Sequence, residues 1–227
     1  MDVADAESRM RGVAAAEAAF GGLDVLVNNA GYVVLGAIEE VAPIDYRPAF
    51  ETNLFGAIEV MRLVLPDMRA RRHGRIVAMS AMGGIVATAG IGYYCATKFA
   101  LEAVSEAVAA EVAPLGIKVT IVEPGNFRTE VIRARVVGGR RESDYDETAG
   151  RLLHRFAGAH GTQPGDPRRL AEAVLAVVDL PDPPLRLPLG NDAVARIREK
   201  LAHVERDVAA AEAVASAMAF DTDPSSV

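Results

Sequence analysis

Short, largely apolar runs alternate with longer segments of helical periodicity, and this alternation is the feature that most constrains the fold. The apolar runs are residues 23–27, 76–79 and 117–122, and the helical segments before them are residues 2–20, 43–70 and 94–113. Runs that are apolar nearly throughout are typical of parallel strands buried on both faces. We therefore predict an α/β fold in which helices cover both faces of a doubly wound parallel sheet.

The second half of the chain continues this pattern after an irregular stretch. Residues 130–165 show no period and predict a loop with one short helix, a kind of segment that often covers a binding site. Helical spacing resumes at 168–178, a short strand is predicted at 185–189, and a closing helix is predicted at 192–218. We expect a single domain over residues 1–220, followed by a disordered tail at 221–227.

Composition narrows the class of partner. The formal net charge is −7 without a block of Lys or Arg, which argues against nucleic acid. One cysteine, Cys95, and an acidic N-terminal segment favour the cytoplasm, and no apolar run is long enough to span a membrane. The chain has four dispersed histidines, which indicate no metal site: His73, His154, His160 and His203.

Tyr94 and Lys98 stand four residues apart on a predicted helix, so both side chains face the same way. An ammonium beside a phenol lowers the pKa of the phenol and prepares it for proton transfer near neutral pH. An isolated pair with this spacing is more often an exposed aromatic residue beside a solvated lysine. The pair therefore becomes informative only together with other motifs.

Four further motifs accompany the pair, in an order that resembles the classical short-chain dehydrogenases/reductases. They are Asn28-Asn29-Ala30-Gly31, Asn53-Leu54-Phe55-Gly56, Gly74-Arg75-Ile76-Val77 and the Pro124 to Thr129 segment PGNFRT. The resemblance covers residues 2 to about 130 and continues more loosely through the closing strand and helix. It implies a Rossmann-like fold and hydride transfer between NAD or NADP and a carbonyl or secondary alcohol.

The resemblance also implies roles for individual residues. Tyr94 would be the acid/base, Lys98 would lower its pKa and hold the nicotinamide ribose, and Asn53 would hold a water in a proton relay. Further cofactor contacts would be Thr129, Pro124 and Gly125 at the nicotinamide, Asn28, Ala30 and Gly31 at the adenosine side, and Asp2 at the adenine. Structural alternatives remain open: Asn28 satisfies backbone groups at a strand end, Asn53 bonds a neighbouring helix, or Thr129 caps a helix.

Ala81 is a first departure from the family pattern, since the family places there a serine that hydrogen-bonds the substrate carbonyl. Ser80 stands one residue early, and neighbouring side chains in an extended segment point to opposite faces. Loss of one such hydrogen bond costs on the order of a hundredfold in rate. We expect weakened activity, or a role for Ser80 in place of the missing serine.

The second departure is that no strand, glycine-rich turn and helix precede residue 23, although the family binds the cofactor pyrophosphate there. We therefore expect the N-terminal strands of the family to be missing, which would leave the 23–27 strand at a sheet edge with apolar faces exposed. Three explanations are open: an incomplete gene model, a remnant that no longer binds dinucleotide, or a chain completed by a partner. The first is favoured.

Two classes of function follow. The first is an oxidoreductase acting on a small alcohol or carbonyl compound, and the resemblance favours a lipophilic one such as a steroid or retinol. The second is a catalytically inactive interaction or regulatory protein on the same scaffold. An epimerase or dehydratase fits the motifs less well. The resemblance also implies a homodimer or homotetramer built partly on the helix of Tyr94, with Leu101, Val104 and Val108 as interface or core residues.

Overall fold

Four parallel strands form the central sheet of the computed structural model, which describes residues 1–132, 135–158 and 161–218. The strands are β1 (Val25–Asn28), β3 (Gly74–Met79), β4 (Ile117–Pro124) and β6 (Arg186–Leu189), and they lie in the order β1-β3-β4-β6. Two shorter strands, β2 (Val34–Leu35) and β5 (Val136–Val137), pair in parallel beside it. The predicted parallel α/β fold is confirmed.

Seven α-helices connect these strands within the described residues. They are α1 (Ala6–Phe20), α2 (Pro43–Phe50), α3 (Gly56–Arg71), α4 (Gly92–Val112), α5 (Arg151–Gly158), α6 (Pro167–Val178) and α7 (Asn191–Ser216). Asp5 caps α1 by accepting from the Ser8 backbone N–H, and Gly21 ends it with a left-handed φ of 74°. A single π-helical turn, Glu51–Phe55, joins α2 to α3 and carries Asn53.

The main core lies between α3 and the sheet. Val60, Val64 and Met68 are almost fully buried on one face of α3 and belong to the same cluster as Ile76 of β3 and Ile117 of β4. Burial of each such side chain stabilises the fold by about 1.5–3 kcal/mol. This packing fixes β3 and β4, whose carboxyl ends carry much of the candidate site.

The β1 strand lies at the edge of the sheet, as the sequence predicts. Its Val25 and Val27 side chains remain 40% and 45% exposed, whereas Leu26 packs against the core. The predicted exposed apolar surface on this strand is therefore confirmed. An unpaired strand edge with apolar side chains is a site at which another backbone can add.

Residues 130–165 are more ordered than the sequence predicts. In addition to the one short helix expected, now α5, the described part of this segment contributes β5, which pairs with β2, and three short helical turns at Glu130–Ile132, Ser143–Tyr145 and Asp146–Gly150. A two-residue strand leaves no periodic signal, so the sequence could not predict it. The predicted tail at 221–227 and His160 lie outside the described residues.

The helix of Tyr94 packs inward through the side chains that the sequence left as either interface or core. Leu101 is 1% exposed, and Val104 and Val108 pack partly buried against the main core. The structure thus favours the core interpretation for these three residues. In the described part of the chain, no helix has the length and apolarity needed to cross a membrane.

Candidate active site

Tyr94 lies where the carboxyl ends of β3 and β4 meet the start of α4, the kind of position at which parallel α/β sheets bind ligands. It borders two clefts. Both clefts are lined mainly by apolar surface, and we name them by the side chains that distinguish them. The apolar cleft, which contains Leu152 and Phe156, has a volume of about 360 Å³, and the polar cleft, which contains Lys98 and Thr129, has a volume of about 420 Å³. Ala81, Pro124, Gly125 and Phe127 also line both clefts, so Tyr94 stands at their junction.

Lys98 lines the polar cleft one helical turn after Tyr94, as the spacing predicts. Its Nζ donates to the Met79 carbonyl at 2.7 Å and lies 5.9 Å from the centroid of the Tyr94 ring. Burial lowers the pKa of Lys98 to about 8, while the Glu102 carboxylate acts to raise it. Lys98 is thus predominantly protonated at pH 7, and a modest rise in pH would remove its proton.

The Tyr94 hydroxyl behaves differently from the sequence prediction. Burial raises the pKa of Tyr94 above its ordinary value, so the expectation of a pKa lowered by Lys98 is wrong for this structure. The physical reason is loss of water around the phenolate, to which the neighbouring Cys95 adds, while the Lys98 ammonium is bonded to the Met79 carbonyl. Tyr94 is therefore held as the neutral phenol, a proton donor.

Asn53 is fully buried, and its side chain is engaged by protein groups. The Oδ1 atom accepts from the Tyr32 backbone N–H at 3.0 Å, and Nδ2 donates to the Tyr32 carbonyl at 2.9 Å and to Thr97 Oγ1 at 3.1 Å. Both amide hydrogens are used, so the side chain is a cross-link between the loop after β1 and α4. This geometry favours the structural alternative over a water held by the amide.

The residues predicted at the adenosine side are only partly brought together. Gly31 lines the polar cleft, where an added Cβ would lie 3.1 Å from Asn53 Oδ1. Asn28 instead donates to the Ala57 carbonyl at 3.0 Å, which supports its structural reading. Asp2 is exposed and accepts from the Ala4 backbone N–H at 2.9 Å. Neither Asp2 nor Ala30 lines either of the two clefts.

The side chains of Ser80 and Ala81 lie in different surroundings, as expected for neighbouring residues in an extended segment. Ala81 has an extended backbone and lines both clefts beside Tyr94. Ser80 is buried, and its Oγ lies with the Glu102 carboxylate around Gly84, where an added Cβ would overlap Oγ and approach Glu102 Oε1 at 2.8 Å. Ser80 also lines the polar cleft, although its Oγ atom is buried, so a role for Ser80 in place of the missing serine stays a prediction.

The segment after β4 forms a wall shared by the clefts. Asp192, at the start of α7, accepts from the Asn126 backbone N–H at 2.8 Å and from its side-chain Nδ2 at 2.7 Å. A Cβ on Gly125 would overlap the same carboxylate, so the close approach requires glycine. Thr129, predicted at the cofactor, lines the polar cleft.

Sequence reasoning missed most of the apolar cleft. Its lining includes Val86, Ile91, Leu152, Phe156, Arg155 and Arg196. Leu152 and Phe156 come from α5, within the segment read as largely a loop, and their i, i+4 spacing was the available signal. Arg196 of α7 donates to Thr88 Oγ1 at 3.2 Å. Among the described residues, no group of three or more His, Cys, Asp or Glu could hold a metal ion.

Comparison with known proteins agrees with this geometry. A family model described as short chain dehydrogenase matches residues 1–137. Oxidoreductase BOA17 of Botryotinia fuckeliana is 34% identical over 194 residues, which cover 86% of this chain and 71% of that protein. The 3-ketodihydrosphingosine reductase of Bacteroides thetaiotaomicron is 37% identical over 178 residues, covering 75% of this chain and 64% of that protein.

A solved structure gives the same answer for the fold. The crystal structure of a short-chain dehydrogenase from Streptomyces avermitilis superimposes with a TM-score of 0.90 at 40% identity, covering 97% of this chain and 80% of that one. The family match spans more than half of the chain and includes the strands and helices that position Tyr94 and Lys98. The chain therefore belongs to the short-chain dehydrogenase family of oxidoreductases.

Proposed function

We propose that the chain interconverts a carbonyl compound and its secondary alcohol with NAD or NADP, and that Tyr94 is the acid/base. The observation that carries this proposal is the position of Tyr94 at the junction of two clefts, with Lys98 lining only one of them. The polar cleft presents the Lys98 ammonium and the Thr129 hydroxyl among apolar groups, and the apolar cleft presents large aliphatic and aromatic side chains together with Arg155 and Arg196. Such a pair suits a hydroxyl-rich cofactor on one side and an apolar substrate on the other.

The polar cleft fits the nicotinamide half of the cofactor. Lys98, Thr129 and Asn29 line it with donors that match ribose hydroxyls and a carboxamide. Gly31 keeps its wall open, because a Cβ there would crowd Asn53 and Lys98. When bound, the cofactor supplies or accepts the hydride.

Tyr94 and Lys98 would carry out the proton transfer that accompanies the hydride transfer. During reduction the neutral Tyr94 donates its hydroxyl proton to the carbonyl oxygen, and during oxidation it removes the proton of the alcohol. The buried ammonium of Lys98 stabilises the phenolate that forms, which matters because burial otherwise disfavours that charge. The Met79 carbonyl holds Lys98 in place for this role.

The missing serine lowers the expected rate. Ala81 lines both clefts beside Tyr94 but offers no hydrogen bond to the substrate oxygen. Ser80 directs its hydroxyl to the Glu102 side instead. We therefore place this chain among weak members of its family, with Tyr94 alone contacting the reacting oxygen through a hydroxyl.

A lipophilic small molecule is the proposed substrate. Phe127, Leu152 and Phe156 give the apolar cleft large hydrophobic surfaces. The name of the Bacteroides thetaiotaomicron relative, a 3-ketodihydrosphingosine reductase, supports a ketone attached to an apolar body. The cytoplasmic location and a homodimer or homotetramer remain predictions from the sequence.

A second candidate is a non-catalytic interaction protein on this scaffold. The exposed Val25 and Val27 side chains on the β1 edge favour it, since such an edge can pair with another chain. Ala81 at the junction of the clefts favours it as well. This candidate requires no dinucleotide binding, so cofactor binding separates the two functions.

Calorimetric titration of the purified 227-residue chain with NADPH and then NADH tests the proposal. We expect saturable binding, followed by oxidation of the bound nucleotide with an apolar methyl ketone such as 2-decanone. A folded chain that binds neither nucleotide would contradict the oxidoreductase proposal and favour the interaction protein. Binding without turnover of any carbonyl compound would contradict catalysis alone.

A further inference from the structure

Four ionisable side chains form a buried charge cluster behind the polar cleft: Lys98 and Glu102 of α4, Glu123 of β4 and Arg186 of β6. Lys98, Glu102 and Glu123 are each at most 5% exposed, whereas the Arg186 side chain is 35% exposed. The cluster contains two basic and two acidic side chains. An unpaired charge in such a place would be strongly unfavourable, so the four groups depend on one another.

Arg186 ties this cluster together across three elements. Its Nη1 donates to Glu102 Oε2 and, at 3.0 Å, to Glu123 Oε1. Its Nη2 donates at 2.8 Å to Glu106 Oε2, which lies one turn further along α4 and is largely exposed. The guanidinium therefore fixes where the Glu102 carboxylate stands relative to the sheet.

Opposing influences act on the two buried carboxyls. The pKa of Glu102 is raised, mainly by burial and also by the Glu123 charge, while Arg186 acts to lower it. Burial likewise raises the pKa of Glu123, and Arg186 lowers it. Arg186 is thus the cation that opposes the effect of burial on both carboxyls and favours their charged forms.

Glu102 in turn acts on Lys98, which lies one helical turn before it. Burial lowers the pKa of Lys98, and the Glu102 carboxylate opposes that effect. Three neutral groups also lie near Lys98: the Met79 carbonyl from β3, the Tyr94 ring from α4, and the Asn53 amide near Gly31. Glu130 is a second carboxyl that lines the same cleft as Lys98. Glu102 is therefore positioned to decide whether Lys98 carries a proton.

We propose that Glu102, fixed by Arg186, is a positioning residue that holds Lys98 as a cation beside Tyr94. Its catalytic consequence rests on the proposed function, because it acts only through the Tyr94 and Lys98 pair. Its electrostatic effect on Lys98 exists in the free protein as well. The electrostatic effect on Lys98 and its catalytic consequence can therefore be tested separately.

The first test follows lysine protonation directly and needs neither cofactor nor substrate. The chain has three lysines, Lys98, Lys118 and Lys200, so NMR of protein labelled with ¹³C at lysine Cε gives three signals. Lys118→Arg and Lys200→Arg variants assign them. We expect the Lys98 signal to titrate with a midpoint near pH 8.

Glu102→Gln keeps the size of the side chain and removes its charge. We expect it to lower the Lys98 midpoint by about one pH unit or more, as removal of a charge one turn away should do. Glu106→Gln is the matched control: it also removes a partner of Arg186 on α4, but from the exposed side, and should leave the midpoint in place. An unmoved midpoint in Glu102→Gln would overturn the proposal.

Glu102→Asp and Glu102→Met cover the case in which the amide variant does not fold. Asp keeps the charge and should hold the midpoint close to that of the parent protein, whereas Met should lower it as Gln does. Equal midpoints in the Asp and Met variants would also overturn the proposal. A merely structural role would change the free energy of unfolding in urea without moving the Lys98 midpoint.

The second test uses the pH dependence of kcat/KM with NADPH and 2-decanone. We expect Glu102→Gln to shift the alkaline limb of the profile to lower pH, since Lys98 loses its proton earlier, and Glu106→Gln to leave the limb unchanged. Absence of turnover by the parent protein would reject the proposed function, while the NMR midpoints still decide the role of Glu102. Turnover with an unshifted alkaline limb in Glu102→Gln would reject the catalytic consequence.

Discussion

The two clefts that meet at Tyr94 are built in different ways. Buried polar contacts define the polar cleft: Lys98 is bonded to Met79, and Asn53 joins the loop after β1 to α4. Hydrophobic side chains from α5 and from the loops around it define much of the apolar cleft. Hydrogen bonds fix atoms in direction, whereas apolar surfaces fix only shape and area. Changes to the first should therefore affect chemistry, and changes to the second should affect choice of substrate.

The largest expected effect is that of Tyr94→Phe, which alters the junction of the clefts. Loss of the hydroxyl removes the proton donor, and kcat should fall by about a hundredfold to ten-thousandfold. Steady-state assays with NADPH and 2-decanone measure this effect, and calorimetry should show NADPH binding little changed.

Tyr93→Phe is the matched control for that variant. The Tyr93 hydroxyl donates to the Ile38 carbonyl at 3.1 Å, and its ring stacks on Tyr46 with the centroids 4.1 Å apart. We expect a modest loss of stability without a comparable loss of kcat. Equal losses of kcat in both variants would remove the special role of Tyr94.

The next effect is a gain. Ala81→Ser restores a hydroxyl at the junction of the clefts, and kcat should rise on the order of a hundredfold if that hydroxyl reaches the substrate oxygen. Single-turnover rates at saturating NADPH measure this directly. An unchanged or lower rate would contradict the proposal, and loss of activity in Ser80→Ala would show that Ser80 carries the role.

The smallest expected effects come from two variants, one in each cleft, which together show whether the clefts bind different molecules. Phe156→Ala should raise KM for 2-decanone roughly tenfold through lost apolar contact while leaving the Kd of NADPH unchanged. Thr129→Val should do the reverse and weaken NADPH binding roughly fivefold through one lost hydrogen bond.

His154→Ala, an exposed change on the same helix as Phe156, controls for effects on α5 itself. It should leave both constants unchanged. If Phe156→Ala and Thr129→Val instead altered both constants equally, the two clefts would be one site, and the division drawn between them would be wrong.

The same contrast explains what the sequence could predict. Tyr94, Lys98, Gly125 and Thr129 lie on regular elements or directly after them, where periodicity and motif order carry the information. The strands of the central sheet were likewise predicted to within two residues at most ends, because continuous apolar runs mark parallel strands.

Other features depend on tertiary contacts that no local pattern records. The raised pKa of Tyr94 follows from burial, which overrides the lysine predicted to lower it. The role of Asn53 in a proton relay stays a prediction, but the sequence did not show that its side-chain amide bonds to Tyr32 and Thr97. The α5 wall and the pairing of β5 with β2 arise only when distant segments meet. Glu102, four residues after Lys98, was visible in the sequence but acquires meaning only through Arg186.

The contact between Gly125 and Asp192 carries a consequence for recombination of this protein with its relatives. The wall of both clefts and the first residues of the last helix share one carboxylate, which leaves no room for a side chain at position 125. In a chimera, the segment around Gly125 can come from one parent and α7 from another. Such a chimera keeps only one of the two partners in the contact between Gly125 and Asp192. Exchange of substrate preference between relatives should therefore succeed when both segments travel together, and fail when a crossover separates them.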